Sequence, residues 1–329
     1  MKISKTTKTI LIHSQNRLIM TNTRNLVWVF LVAILAFSSC SEGAFYPDNN
    51  TDDSHVDDGH NHSEGEEGAL TLYQVNGNDI SKITDYNVTG QLKQYQEDYT
   101  KHLKMWEYFT QLIPQQDRDL ITEFEIFYGE NETLGYVAPI NDNDLSKWKM
   151  GLAIEVVADL EKIDLNEDFA YTIIHELGHV LTLNHLQLDA SVGEESCNTF
   201  HIGEGCSESD SYLYELFNIG WSDIIDEANG INNDRQAQRF HDKYSDRFVT
   251  DYAATNPAED IAEVFAVFVV QDNQPTGNTI ADQKIKAMYG RPDLVRLRSA
   301  IRQQTVVRTM QPGKWKHSKH KAKKAHLLN

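Results

Sequence analysis

Apolar side chains recur at helical spacing between Gln91 and Ile113, at Leu92, Tyr95, Tyr99, Leu103, Trp106, Phe109 and Leu112, and the run stops before Pro114. Residues three and four apart share one face of an α-helix, so this pattern predicts a packing helix closed by proline. Three short runs follow: ITEFEIFYG from Ile121, GYVAP from Gly135 and WKMGLAIEV from Trp148. Each alternates or is wholly apolar between Gly, Pro and Asn, and reads as a strand. Helical periodicity returns from Asn166 to Leu183, from Arg235 to Phe248 and from Pro257 to Val270, with two further helices near Asp282 and Asp293. Strands first and helices afterwards predict an α+β domain, a small mixed β-sheet followed by a mostly helical C-terminal half.

The two ends of the chain break this pattern. Residues 1–39 contain no Asp or Glu, and NLVWVFLVAILAF runs from Asn25 to Phe37 ahead of Ser38, Ser39 and Cys40. A basic n-region, an apolar stretch too short for a comfortable membrane anchor and then small residues predict a signal peptide over 1–39, with Met20 an alternative start. The junction resembles a bacterial lipobox, with Phe37 in place of the usual aliphatic residue. That resemblance implies Cys40 as the lipidated first residue of a mature lipoprotein; a plainly cleaved signal and an uncleaved anchor are the alternatives.

Residues 40–68 are rich in Asp, Glu, Gly and Asn and read as an acidic, His-rich tether; they lack the apolar surface to fold. His55, His60 and His62 in it either capture zinc weakly or belong to a solvated spacer. Residues 69–303 read as the folded domain. Residues 304–329 carry seven Lys or Arg and no acid, and read as a solvated basic tail, with docking to anionic lipid as the alternative.

Composition narrows the partners. The net charge of −19 becomes −24 once residues 1–39, with five basic and no acidic side chains, are removed, which argues against nucleic acid. With Cys40 assigned to lipid, Cys197 and Cys206 form a pair close in sequence, and in an oxidising compartment a disulfide is the expectation. A metal site built from Cys197, His201 and Cys206 lacks an evident fourth ligand.

The chemistry begins at HELGHVLTLNH, His175 to His185. Two histidines four apart lie on one helix face and can meet one zinc ion, and Glu176 beside them can take the proton of an attacking water. The flanking Phe169, Ile173, Ile174, Leu177, Val180 and Leu181 give that helix an apolar face, and Asp164 with Glu167 predicts a capping box at its start. A catalytic zinc site needs a third protein ligand. His185 has the spacing of the metzincin pattern, but on a continuing helix it would sit about 240° around from His179. The sharp turn that would return it calls for glycine, where this chain has Thr182.

Downstream, YAATNPAEDIAEVFAVF offers Asn256 as an N-cap, Pro257 as first helical residue and Glu259 and Glu263 one turn apart. HELGH followed about 80 residues later by Y-x6-E-D-x-A-E resembles the gluzincin arrangement of lethal-factor-like and Pro-Pro-endopeptidase-like zincins and of HExxH metallohydrolase lipoproteins of Gram-negative bacteria. The resemblance runs from about Phe169 to Val270. It implies a zincin-like fold, one zinc ion held by His175, His179 and Glu259, Glu176 as general base, Tyr252 as oxyanion donor and Glu263 orienting a ligand histidine. The implied activity is hydrolysis of a peptide or protein substrate at a Gram-negative envelope, outer-membrane anchored through Cys40 and facing either the periplasm or the surface. The alternatives are a metzincin-like site with His185 as third ligand, or a lipoprotein that binds zinc or captures substrate without turnover. A substrate strand pairing along Gly135 to Pro139 is also conceivable.

Overall fold

The computed structural model describes residues 68–130 and 133–310, and its first layer is a five-stranded sheet. Strands β1 (Ala69–Asn76), β2 (Asp79–Asp85), β3 (Ile121–Phe127), β4 (Gly135–Asn141) and β5 (Asp144–Ala153) lie in the order β2-β1-β3-β5-β4. Only β3 and β5 run parallel; the other pairs are antiparallel, so the sheet is mixed and β4 is an edge. The apolar pattern of the sequence does not predict the β1–β2 hairpin. The third predicted strand starts earlier than expected, and its end, Ile154–Val156, is a 3-10 turn.

The helix expected over Gln91–Ile113 is two helices, α1 (Gln91–Glu97) and α2 (Tyr99–Leu112). Asp98 divides them: its side chain accepts from Lys101 N, making it the N-cap of α2, a role aspartate fills well. Met105, Trp106, Phe109 and Leu112 of α2 are buried, and Ile113 is extended, as a residue before proline must be.

Helix α3 (Glu167–Leu183) is capped by Asn166, whose side chain accepts from Phe169 N. The capping box expected from Asp164 and Glu167 does not form, because Asp164 lies in a 3-10 stretch, Leu160–Leu165, and Glu167 is already the first helical residue. Beyond α3 lie α4 (Tyr212–Gly220), α5 (Ile225–Asn229), α6 (Asp234–Lys243), α7 (Pro257–Val270), α8 (Ile280–Tyr289), α9 (Pro292–Ile301) and α10 (Thr305–Thr309). Helix α6 stops before the predicted Phe248, which instead packs with Trp221, Ile224 and Phe240 in a small second cluster. Val306, Val307 and Met310 are buried in the main core, so the packed chain runs past the expected boundary at 303. Charge alone places the boundary at 303, and burial overrides it.

All 14 residues of α7 are buried, as is every residue of α3 from Phe169 to Val180. A helix apolar and covered on all sides is a core element, and these two form the centre of the helical layer. A small sheet, β6 (Leu188–Asp189), β7 (His201–Ile202) and β8 (Gly205–Ser207), follows α3, and a Cys197–Cys206 disulfide ties it to the preceding loop. No helix among the described residues is long and apolar enough to cross a membrane. The signal segment, Cys40, the tether histidines and residues 311–329 of the basic tail lie outside the described residues.

Candidate metal centre

Two small residues bring the central helices together. A Cβ on Gly178 would stand 3.1 Å from Ala262 Cα and 3.2 Å from Phe265 Cδ1, so α3 and α7 meet almost backbone to backbone. At the start of α7, Asn256 accepts from Glu259 N at 3.0 Å and Pro257 occupies the first turn. This start aims the Glu259 side chain at the histidines of α3.

His175 Nε2 lies 3.2 Å from Glu259 Oε2 and 3.2 Å from His179 Nε2, while His179 Nε2 lies 3.3 Å from Glu259 Oε2. All three residues are buried, and they are the one group of convergent His, Cys, Asp or Glu side chains among the described residues able to hold a metal ion. A tetrahedral ion with ligand distances of about 2.0–2.1 Å needs ligand atoms roughly 3.3–3.4 Å apart, so the triangle fits. Two imidazoles and a carboxylate are also a donor set suited to zinc rather than to magnesium or calcium.

Glu263 explains which nitrogen of His175 faces the triangle. Its Oε1 accepts from His175 Nδ1–H at 2.7 Å, which leaves Nε2 to face Glu259 and His179. Its Oε2 accepts from Tyr171 OH at 3.1 Å and from Thr250 Oγ1 at 2.7 Å. Glu263 has no exposed surface, and these three donors offset the cost of burying its charge. Burial alone would lower the His175 pKa, but Glu259 and Glu263 outweigh it and hold the ring well above the ordinary imidazole value. Glu259 is also buried, yet the two histidines keep it well below the usual carboxylate range. The cluster is electrostatically prepared for a cation, whether a proton on Nε2 or a metal ion.

Glu176 projects beside the triangle toward the sheet edge. A Cβ on Gly135 would lie 2.5 Å from Thr172 Cγ2 and 3.1 Å from Glu176 Cγ, so glycine is what admits this carboxylate between α3 and β4. Burial pushes Glu176 above the ordinary range, His175 and His179 pull it back, and Glu259 and Glu263 push it further up. Tyr252 stands in a 3-10 turn, Tyr252–Ala254, with its ring 5.8 Å from the His175 ring and its hydroxyl bonded to Glu259. Burial, then the charges of Glu259 and Glu176, raise its pKa far above the ordinary phenol value, so the hydroxyl keeps its proton.

His185 is not brought to this group. It is exposed, and its backbone N–H donates to Leu145 O at 3.2 Å on the departing chain. Sequence reasoning missed Tyr171, Thr250 and Gly135. Tyr171 precedes His175 by one helical turn, and Thr250 stands two residues before Tyr252, so both were within reach of a search for donors to Glu263. The third acid of α7, Asp260, faces away from the triangle, where Lys284 Nζ and Trp221 Nε1–H meet it. No protein-family model, curated protein or solved structure matches this chain.

Proposed function

We propose that this chain is a zinc-dependent peptidase of gluzincin type on a zincin-like fold, acting on a peptide or protein substrate. The observation that carries the reading is the triangle of His175, His179 and Glu259 atoms with 3.2–3.3 Å edges, flanked by Glu176 and Tyr252. His175, His179 and Glu259 would hold the ion, and Glu263 would keep the His175 ring in register. Zinc bound there supplies Lewis acidity that makes a water more acidic and a carbonyl more electrophilic.

The chain's own groups then divide the proton work. Glu176, buried with an elevated pKa, accepts the proton of the attacking water and passes it to the departing nitrogen. Tyr252 keeps its proton and donates to the oxygen on which negative charge develops. Loss of one such donor costs about 2.7–4 kcal/mol of transition-state stabilisation. Strand β4 is an edge that begins at Gly135 beside Glu176, which supports an extended substrate adding to the sheet there.

The test is cleavage of a peptide library by the purified chain, with zinc content measured on the same sample. Cleavage that chelation removes, zinc restores and Glu176→Gln abolishes with zinc still bound is the expected result. Stoichiometric zinc with no turnover in the parent protein would instead favour a capture module. Export and membrane anchoring through Cys40 belong to the same proposal; labelled palmitate incorporated by the parent and lost in Cys40→Ser is its measurement.

A further inference from the structure

Asp260 adjoins Glu259 at the start of α7, and a cation from another helix holds it. Lys284 of α8 has no exposed surface; its Nζ donates to Asp260 Oδ2 at 2.5 Å and to Arg247 O at 2.8 Å. Trp221 Nε1–H donates to the same Oδ2 at 2.8 Å, while Oδ1 meets no donor among the described residues. The lysine stem crosses the backbone of Gly220, where a Cβ would stand 2.2 Å from Lys284 Cε, and its ammonium lies 4.9 Å from the centre of the Phe248 ring. The absence of a side chain at Gly220 is what lets this ammonium reach α7.

Both of its bonds lead back to the metal centre. Successive residues of a helix stand about 100° apart around its axis, so fixing Asp260 sets the rotation of the first turn of α7 and with it the direction of Glu259. Arg247 lies three residues before Thr250, which donates to Glu263, and five before Tyr252, whose hydroxyl bonds Glu259. The same stretch is tied to α8 by Ala281 N on Asp246 O at 3.0 Å, and the Arg247 guanidinium meets both Asp223 oxygens at 2.6 and 2.8 Å. Lys284 thus joins the segment that supplies Tyr252 to the helix that supplies Glu259. A buried ion pair is often no more stabilising than an apolar pair of similar volume, which leaves register as the contribution special to this one.

We propose that Lys284, acting through Asp260 and Arg247 O, is a positioning residue that keeps Glu259 and Tyr252 in register with His175 and His179. The inference rests on the peptidase reading above and adds to it a residue that touches neither the ion nor the substrate.

The experiment removes both charges together, so that neither is left buried alone. In the full chain carrying Asp260→Asn with Lys284→Met, the asparagine still accepts from Trp221 and the methionine keeps most of the stem, but the bond to Arg247 O is gone. Zinc affinity is read by competition with a chromophoric chelator, and the visible absorption of the chain at saturating cobalt reports the ligand arrangement. Expected are a fall of about tenfold in zinc affinity and cobalt bands changed in position or intensity. Asp260→Asn with Lys284→Gln, whose amide again offers a donor, is expected to recover part of both. Lys284→Met alone leaves the Asp260 carboxylate with Trp221 as its one donor and unfolds more readily; saturating cobalt favours its folded form, so its spectrum is read in the same way. A merely stabilising pair moves the unfolding midpoint and leaves the spectrum of the loaded chain unchanged, so parental zinc affinity with a parental cobalt spectrum in the double variant overturns the inference. Where the parent cleaves peptide, kcat and kcat/KM of the double variant fall together by about tenfold, the mark of an interaction made in the transition state. A parent that binds cobalt and cleaves nothing sinks the peptidase reading alone, because the spectrum still decides the role of Lys284.

Discussion

Glu263 Oε1 lies 2.7 Å from His175 Nδ1 although 88 residues separate the two in sequence. The bond assigns the ring's proton to Nδ1 and turns Nε2 toward Glu259 and His179. Groups that orient a ligand histidine in this way typically contribute 10–100-fold to metal affinity. Glu263→Gln keeps an acceptor for His175 and loses the charge, so its zinc affinity falls by about tenfold; Glu263→Ala loses both and falls by about a hundredfold. Competition against a chromophoric chelator reads both values, and unchanged affinity in the alanine variant would remove Glu263 from the site.

The contact of Gly178 with Ala262 and Phe265 sets the spacing of α3 and α7. Gly178→Val places a branched side chain where even one carbon is crowded. Overpacking of this kind costs about 1–3 kcal/mol, and here it also spreads the His175, His179 and Glu259 triangle. Denaturant unfolding and zinc titration of the same variant are expected to show both losses. A valine variant with full zinc affinity would mean that helix separation does not control the site.

Zinc at a hundred times its dissociation constant stabilises a folded protein by about 2.7 kcal/mol. The parent chain and His185→Ala are expected to show that gain in thermal unfolding, because His185 is exposed and lies outside the cluster. Glu259→Ala is expected to lose most of it. The reverse pattern, with only His185→Ala losing the response, would restore the metzincin-like alternative.

His102, in α2, predicts acid sensitivity far from the site. Its Nε2 lies 2.9 Å from Tyr95 O, which can only accept, so Nε2 carries the proton and Nδ1 accepts from Tyr73 OH at 2.8 Å. Burial pushes its pKa below the ordinary imidazole value despite the help of Tyr95 O. The unfolded chain therefore binds this proton more readily, and the stability His102 contributes is complete above about pH 6.5 and drains as pH falls through the depressed folded value. Denaturant unfolding below about pH 6.5 is expected to show stability falling with pH, by no more than about 1.4 kcal/mol per pH unit from this group, and His102→Gln to show a shallower slope. Parallel slopes would dismiss His102 as the source.

What could be read from the sequence was what a helical period carries. His175 and His179 at four apart, and Asn256, Pro257 and Glu259 at the N-cap, first and third helical positions, each fix local geometry, and the structure brings the side chains of His175, His179 and Glu259 together. The close approach of the two helices was not readable, because it depends on Gly178 meeting Ala262 across the fold. The helix break at Asp98 was hidden by apolar spacing that runs across it in the sequence, although Tyr99 and Leu103 of that spacing are exposed and α2 buries Met105, Trp106, Phe109 and Leu112 instead. Met310 shows the opposite failure: a run of basic residues drew the domain boundary at 303, while Val306, Val307 and Met310 seal the core.

The meeting of α3 and α7 also governs timing. His175 and His179 alone make a weak two-point clamp on any cation, and the third donor arrives only when a segment translated some eighty residues later has docked. On the proposed reading, a nascent or partly opened chain has no competent centre, and opening this interface would release a bound ion in the same event. On that reading, completion of the core is itself the step that assembles the centre.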